Sequence, residues 1–419
     1  MAVRRYQARW LVPIERPPVE GGAVLIGGDG RIVAVGEAAR VPCPPGAVAV
    51  DLGEVALLPG LVNAHTHLEL TGFEGRNDEP DFPTWIRRII ALKAGRGPEE
   101  FLAAARQGLR DCWAAGITTV ADTGDSGAGI AALAALGGSG IAYHEVFGPE
   151  PDRAEASFAA LVRAVERLRE FEGPRVRLGV SPHAPYSVSG PLYRRVAAWA
   201  RAEGLPLAVH LAESREESDL LERGTGGFAR AWQGRGIPLP AADCSPVAWL
   251  DRHQVLGPAT LCIHMVQAGP ADLDLVAARG AAIAHCPRSN RRHGHGEAPL
   301  GAMLARRLRV GLGTDSVVSV APLDLMAELA AARRLGGLAA ERALRLATLD
   351  AAEALGLGAE VGSLRAGKWG DLAAFRLPGP VDSGRVADTL VSRTRADIVL
   401  TVLGGREVWR AGDGSAGSG

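Results

Sequence analysis

The chain has 419 residues, of which 47% are hydrophobic and 22% are charged, so it can bury a large core and does not resemble a disordered protein. Its 46 basic and 47 acidic residues leave a net charge of −1, which argues against a general nucleic-acid binder and a basic membrane-surface protein. The five cysteines are scattered, the first residues show no signal-peptide pattern, and no run reaches the ~18 apolar residues of a membrane span. We therefore predict a protein of the reducing cytoplasm.

Both ends of the chain are predicted to form strands. Residues 23–26 and 31–35 flank a Gly-Gly-Asp-Gly turn, and similar strand patterns recur near the other end. Because two strand-rich ends enclose a different middle, we predict a small discontinuous β-sandwich domain from residues 1–57 and 362–419. The tail at 412–419 is rich in Gly and Ser and is predicted to be frayed.

The middle of the chain alternates short apolar strands with amphipathic helices. The predicted strands are residues 56–62, 118–122, 141–146, 176–180, 207–211, 260–264, 281–285 and 310–314. The predicted helices include residues 99–115, 155–171, 192–203 and 272–279. This alternation is typical of a parallel (β/α)8 barrel, or TIM barrel, and no Gly-x-Gly-x-x-Gly supports a dinucleotide-binding sheet. We predict an α/β fold in which residues 58–361 form the barrel.

Polar residues follow several of the predicted strands, at the end where a barrel has its active site. They are His65, His67, His183, His210, Glu213, His264 and Asp315. Buried imidazoles and carboxylates are costly unless they are paired or bind a metal. His65 and His67 are two residues apart and therefore lie on one side of a strand. Imidazoles with one carboxylate suit a divalent ion such as Zn²⁺ and leave a position for water.

The motifs as a set resemble the amidohydrolase superfamily, in particular its mononuclear branch of nucleoside and nucleobase deaminases. The segments that carry this resemblance are residues 59–67 (Pro-Gly-Leu-Val-Asn-Ala-His-Thr-His), His210-Leu-Ala-Glu213, His264, Gly313-Thr-Asp-Ser316 and residues 362–372. The resemblance implies one divalent ion, with Zn²⁺ favoured and Fe²⁺ as the alternative. It implies the metal ligands His65, His67, His210 and Asp315, and the catalytic residues Glu213, His264 and Asp315.

The lysine content favours a single metal. Binuclear relatives bridge two ions with a carboxylated lysine at the end of strand 4, and the only two lysines, Lys93 and Lys368, are not placed there. That strand end instead offers His183, which the branch uses to contact substrate.

The resemblance also implies a mechanism. The metal lowers the pKa of a water molecule toward 7. Asp315 accepts a proton from this water and His264 orients it. Glu213 protonates the ring nitrogen beside the carbon under attack, and ammonia then leaves.

Two features point toward a modified adenosine as the substrate. Trp85, 18 residues beyond His67, is expected near the base or sugar. Residues 285–290 (His-Cys-Pro-Arg-Ser-Asn) and 143–148 most resemble the deaminases of 6-amino-6-deoxyfutalosine in menaquinone biosynthesis. That substrate carries a benzoate, which gives Arg288 a carboxylate to bind. The alternatives are 5′-methylthioadenosine or S-adenosylhomocysteine, then guanine, cytosine or a chlorotriazine, and finally a catalytically silent structural relative.

Several residues keep a structural interpretation beside the functional one. Trp85 can be a helix anchor, Arg288 an ion-pair partner and His183 a structural histidine. His144 and His285 are expected to be structural, and His293 and His295 to lie in a solvated or substrate-lining loop. The expected partner is a small nucleoside, with no nucleic acid and no membrane, and a homodimer is an option for the assembly.

Overall fold

A computed structural model of the chain describes residues 1–240 and 243–412, so all of the predicted frayed tail except Gly412 lies outside the described residues. In chain order the strands are β1 (Arg4–Leu11), β2 (Val19–Ile26), β3 (Ile32–Glu37), β4 (Val48–Asp51), β5 (Val55–Pro59), β6 (Leu61–Thr66), β7 (Ile117–Gly124), β8 (Gly140–Val146), β9 (Val176–Pro182), β10 (Leu207–Leu211), β11 (Thr260–His264), β12 (Ala282–His285), β13 (Arg309–Leu312), β14 (Leu372–Arg376), β15 (Ile398–Leu403) and β16 (Arg406–Arg410).

The helices follow the same numbering. They are α1 (Phe82–Ala94), α2 (Pro98–Ala114), α3 (Ala128–Leu136), α4 (Ala154–Leu168), α5 (Gly190–Glu203), α6 (Arg215–Arg223), α7 (Gly226–Gly234), α8 (Pro246–Arg252), α9 (Pro270–Arg279), α10 (Pro287–Arg292), α11 (Leu300–Ala305), α12 (Leu325–Gly336), α13 (Ala340–Leu346), α14 (Leu349–Ala354) and α15 (Val386–Leu390).

Strands β6 to β13 form the parallel barrel, and each pairs with the next along the chain. Strands such as β10 and β11 are buried at every position, as expected when a parallel sheet is covered on both faces. A parallel bridge between Thr66 and Asp315 joins the first and last strands at their carboxyl ends. The predicted (β/α)8 fold is therefore confirmed.

The first barrel strand differs from the prediction of one strand at residues 56–62. The structure divides this stretch into β5, which pairs with β14, and β6, which belongs to the barrel. The division falls at Gly60, where a Cβ atom would lie 2.1 Å from Thr118 Oγ1. The prediction of a single strand was wrong because this close approach, which requires glycine, is not visible in the apolar pattern.

A second, mixed sheet is built from both ends of the chain, in the order β16-β15-β14-β5-β1-β2-β3, with β4 paired to β1. Its core contains Tyr6, Leu57, Leu372 and Leu400, and the Tyr6 hydroxyl donates to Glu407 Oε1 at 3.1 Å. The expected β structure from both termini is therefore present. The domain limits at residues 57 and 362 stay a prediction.

The contacts divide the chain into two compact units. One contains residues 1–63, 110–119 and 323 onward, and the other contains residues 64–109 and 120–322. All the polar strand-end residues singled out above belong to the second unit. Among the described residues, none of the helices has both the length and the apolar composition that crossing a bilayer requires.

Candidate active site

The carboxyl ends of the barrel strands bring four predicted metal ligands together. The ring centre of His65 lies 4.8 Å from that of His67 and 4.9 Å from that of His210. Asp315 Oδ1 lies 3.6 Å from His65 Nε2 and 3.5 Å from His67 Nε2. The potential ligand atoms of His65, His67 and Asp315 all lie within 4.8 Å of one another, and so do those of His65, His210 and His264.

The protonation states of these side chains suit a metal. Burial lowers the pKa values of His65 and His210, and it lowers the pKa of His67 to about 3. Burial alone would raise the pKa of Asp315, but the facing His65 holds it well below its usual value. The imidazoles are therefore neutral and the carboxyl group is ionised at neutral pH. This donor set fits a divalent ion.

The backbone at two of these strand ends is strained. His264 and Asp315 have φ values of 75° and 56°, a left-handed conformation that costs a non-glycine residue about 1–3 kcal/mol. Gly313 has no room for a side chain, because a Cβ atom there would lie 2.8 Å from His65 Cβ. The Gly-Thr-Asp-Ser motif therefore allows the chain to pass against His65 and then turn Asp315 toward it.

Two polar residues of α10 hold members of this group. His264 Nδ1 and Asn290 Oδ1 are 2.9 Å apart, so the ring donates to the amide oxygen. His264 Nε2 then faces Glu213 Oε1 at 3.5 Å. Ser289 Oγ donates to Asp315 Oδ2 at 2.5 Å. Both residues belong to the 285–290 segment, whose sequence pattern predicted a contact for neither of them.

Glu213 is a buried carboxylate between two histidines. Its Oε1 atom lies 3.5 Å from both His264 Nε2 and His295 Nε2, and the Tyr186 hydroxyl donates to its Oε2 atom at 3.4 Å. Burial by itself raises the pKa of Glu213, but His264 and His295 lower it to about 2. Glu213 is therefore ionised at neutral pH and accepts a proton before it can donate one.

A second glutamate fixes the turn that carries Glu213. The backbone N–H groups of Ala212 and Glu213 donate to the two carboxyl oxygens of Glu217, both at 2.9 Å. Glu217 is fully buried in the first turn of α6, whose N-cap is Ser214. Sequence reasoning missed Glu217, although the Ser-x-x-Glu spacing is that of a capping box.

We expect Glu217 to make the protein less stable as the pH rises. Burial raises its pKa from 4.5 to about 8 in the folded protein. Between these pH values the folded chain keeps a proton that the unfolded chain has released, so the free energy of unfolding falls by about 3–5 kcal/mol as the pH rises through this range. Glu217→Gln should flatten this fall, as measured by urea unfolding between pH 5 and pH 8.

Glu217→Gln removes a hydrogen bond as well as the titrating group, and the two effects on stability can be separated. Glutamine can accept only one of the two backbone N–H bonds, so the variant should lose about 1–3 kcal/mol at pH 5. The slope with pH is the quantity that tests the titration of Glu217. Parallel stability profiles for the variant and the wild type would contradict it.

A cavity of about 780 Å³ adjoins these groups, a size typical of small-molecule sites. Glu213, His264 and Asp315 line it together with an aromatic set. In that set Phe82 stacks on Trp85 at 5.9 Å between ring centres, and Tyr186 stacks on Phe228 at 4.1 Å. Such flat apolar faces suit a planar heterocycle.

The predicted substrate residues differ in their relation to this cavity. Trp85 and His183 line it, whereas Arg288 is half-buried on α10 and is not among its lining residues. The cations that do line it are Arg87, Lys93 and Arg235. The predicted contact of Arg288 with substrate therefore gains no support from the cavity.

Four further histidines singled out from the sequence are also placed. His293 lines the cavity with its ring centre 4.6 Å from that of Trp85, and His295 faces Glu213. His285 is fully buried at the end of β12, and His144 is half-buried in β8. Neither of these last two is among the lining residues within the described parts of the chain.

The model of the amidohydrolase family matches residues 56–408. The chain belongs to this family. It is 35% identical over 343 residues to the aminodeoxyfutalosine deaminase of Deinococcus radiodurans, covering 75% of this chain and 78% of that one. It is 32% identical over 406 residues to the 5-methylthioadenosine/S-adenosylhomocysteine deaminase of Syntrophobacter fumaroxidans, covering 92% and 88%.

Among solved structures, a zinc-bound adenosine deaminase from Xanthomonas campestris is 27% identical and superimposes with a TM-score of 0.84, covering 97% of this chain and 92% of that one. These matches confirm the predicted family and the predicted class of hydrolases of carbon–nitrogen bonds.

Proposed function

We propose that this protein is a divalent-metal-dependent deaminase of adenosine-type nucleosides. The observation that carries the proposal is one cavity in which neutral histidines and the ionised Asp315 lie beside the ionised Glu213 and the oriented His264. The relatives named as deaminases of adenosine derivatives support the same class.

Each side chain has a role in this reaction. A divalent ion held by His65, His67, His210 and Asp315 would supply a water molecule with a pKa near 7. Asp315, fixed by Ser289, accepts a proton from the attacking water. Glu213 takes up a proton and delivers it to the ring nitrogen beside the carbon under attack, which makes that carbon more electrophilic.

His264 orients the attacking water. Its Nδ1–H bond to Asn290 leaves Nε2 as the nitrogen that faces Glu213. The departing amino group receives the proton that Asp315 accepted from the water and leaves as ammonia, while the proton from Glu213 stays on the ring nitrogen. Tyr186, which donates to Glu213 Oε2, helps to keep the carboxylate in position.

We further propose that the substrate is 6-amino-6-deoxyfutalosine, which would be converted to futalosine, with 5′-methylthioadenosine or S-adenosylhomocysteine as the alternative. The similarity to the Deinococcus enzyme supports aminodeoxyfutalosine. Because this substrate carries a benzoate, its binding site needs a cationic side chain to pair with the carboxylate. One face of α7 lies along the cavity, with Phe228, Ala231 and Trp232 at helical spacing. Arg235, the C-cap residue of α7, continues this spacing and also lines the cavity. Arg235, which also pairs with Glu150, is therefore the better-placed partner for a carboxylate than Arg288.

The substrate proposal is tested with a panel of nucleosides and two arginine variants. Ammonia release is measured with aminodeoxyfutalosine, methylthioadenosine, adenosine, guanine, cytosine and a chlorotriazine. A charge-assisted contact contributes about 1.5–3 kcal/mol, so Arg235→Ala should lower kcat/KM for aminodeoxyfutalosine by about 10- to 150-fold. The loss for adenosine, which has no carboxylate, should be much smaller.

Arg288→Ala is the matched control, because it removes an arginine that does not line the cavity. If Arg288→Ala lowers kcat/KM for aminodeoxyfutalosine much more than for adenosine, Arg288 and not Arg235 binds the carboxylate. If the wild type prefers methylthioadenosine, the proposed substrate is wrong, but the proposed deaminase activity stands. Release of no ammonia from any compound would favour the catalytically silent alternative.

A further inference from the structure

One side of the cavity is polar and is not used by the mechanism above. Lys93, Asp125, Ser126 and Glu145 all line the cavity, and we call them the polar wall. Lys93 Nζ lies 2.6 Å from Glu69 Oε1 and also donates to Asp125 Oδ1. From the sequence, Lys93 had only the role of a potential metal bridge to be excluded, yet α1 carries its side chain to the cavity.

Within the polar wall, Glu145 has an unsatisfied atom. It is the penultimate residue of β8, with only 6% of its surface exposed, and its Oε1 atom is buried with no hydrogen-bond partner in the described structure. A buried carboxyl oxygen without a donor is unfavourable, and in a ligand cavity it marks a place where a ligand donates. Glu145 therefore points to a ligand group that carries an O–H or N–H.

The position of Glu145 narrows the choice of that group. Its potential ligand atom lies within 4.8 Å of those of His183 and His210, so it is close to His210, one of the proposed metal ligands. A purine nucleoside carries donors at the exocyclic amino group and at the hydroxyls of its pentose. The amino group is the leaving group and must lie beside Glu213, so the hydroxyls remain for Glu145.

We propose that Glu145, with Lys93 and Asp125 beside it, binds the vicinal hydroxyls of the substrate's pentose. This subsite rests on the proposed function and extends it to the sugar. One hydroxyl donates to Glu145 Oε1. The ammonium of Lys93 has three N–H groups, and its two carboxylate partners leave one to donate to a hydroxyl oxygen.

A second metal ion is the competing occupant, because Glu145, His183 and His210 form a group that could hold one. Two observations favour binding of the hydroxyls over a second metal ion. His210 already belongs to the group around His65, and the Nδ1 atom of His183 lies 2.7 Å from Ser187 Oγ. Metal analysis of the variants distinguishes the two occupants.

The test compares ribose with deoxyribose in binding and in turnover. Inosine, 2′-deoxyinosine and 3′-deoxyinosine are titrated by calorimetry, which needs no reaction, and the matching adenosines are assayed for ammonia. The wild type should favour the ribonucleosides by about 10- to 100-fold in Kd and in kcat/KM. Glu145→Ala should bring this ratio several-fold closer to one by weakening ribonucleoside binding alone, because only the Lys93 contact to the hydroxyls remains.

Two further variants guard against a folding defect. Glu145→Gln keeps the size and one acceptor, so it should retain part of the preference. Glu328→Gln changes another fully buried glutamate, which does not line the cavity, and should keep the wild-type ratio. The proposal is overturned if the ratio in Glu145→Ala equals that of the wild type, if no nucleoside binds, or if Glu145→Ala loses one of two bound metal ions. If ammonia is never released and the binding ratio still responds to Glu145, the proposed reaction fails and the subsite stands.

Discussion

Replacing Glu213 with glutamine should lower kcat by about 10²- to 10⁴-fold, the usual contribution of a general acid–base group. Glutamine keeps the shape of the side chain but cannot take a proton from water and pass it to a ring nitrogen. Because Glu213 is not among the proposed metal ligands, the variant should keep its full metal content. The measurements are steady-state kinetics on the best nucleoside of the panel and elemental analysis of the purified protein.

Tyr186→Phe provides the comparison for this experiment. It removes a hydrogen bond of 3.4 Å to Glu213 Oε2 and leaves the carboxylate in place, so its effect on kcat should stay within about tenfold. A Glu213→Gln enzyme with nearly wild-type kcat would show that the proton transfer belongs to another group. Loss of metal from that variant would show that Glu213 acts on the metal site instead.

His65→Ala should lose the bound metal and reduce deamination to the background of the assay. His65 lies at the centre of the cluster, because its ring is close to those of His67 and His210 and it also faces Asp315. Without the ion, water keeps a pKa far above neutrality and is a poor nucleophile. The experiment measures metal content, activity and thermal stability of the same preparations.

His285→Ala is the matched control for burial. His285 is also a fully buried histidine at the end of a barrel strand, but it belongs to none of the three groups that could hold an ion in the described structure. This variant should lose stability and keep its metal. A wild-type protein without a stoichiometric ion, together with an unchanged His65→Ala variant, would contradict the metal-dependent mechanism. Re-adding Zn²⁺ or Fe²⁺ to chelated protein then identifies the ion that supports activity.

Much of the fold was predictable from local patterns. The buried strands of a parallel barrel appear as short apolar runs, and the helices between them bury one face, as α4 does with Phe158, Leu161 and Val165. The convergence of strand ends then predicted that His65, His210 and Asp315 would meet, and the structure places them together. Such features depend on the order of elements along the chain and on the residue at each strand end.

Other features depend on the direction of a side chain or on a contact between distant segments. The sequence motif singled out Arg288 as the partner for a carboxylate, but of Arg288 and Arg235 only Arg235 lines the cavity. The bond from His264 to Asn290 joins residues of β11 and α10, and the contact of Lys93 with Asp125 joins α1 to the segment after β7.

The unsatisfied Oε1 atom of Glu145 also depends on the tertiary structure, because it is the packing of other segments around it that leaves it without a donor. Hydrophobic periodicity records which face of an element is buried, so it predicts helices, strands and their order. It does not record which polar groups meet across loops or which donors and acceptors are left over. Those outcomes follow from packing in three dimensions, because each buried polar atom must find a partner among all the segments that fold against it.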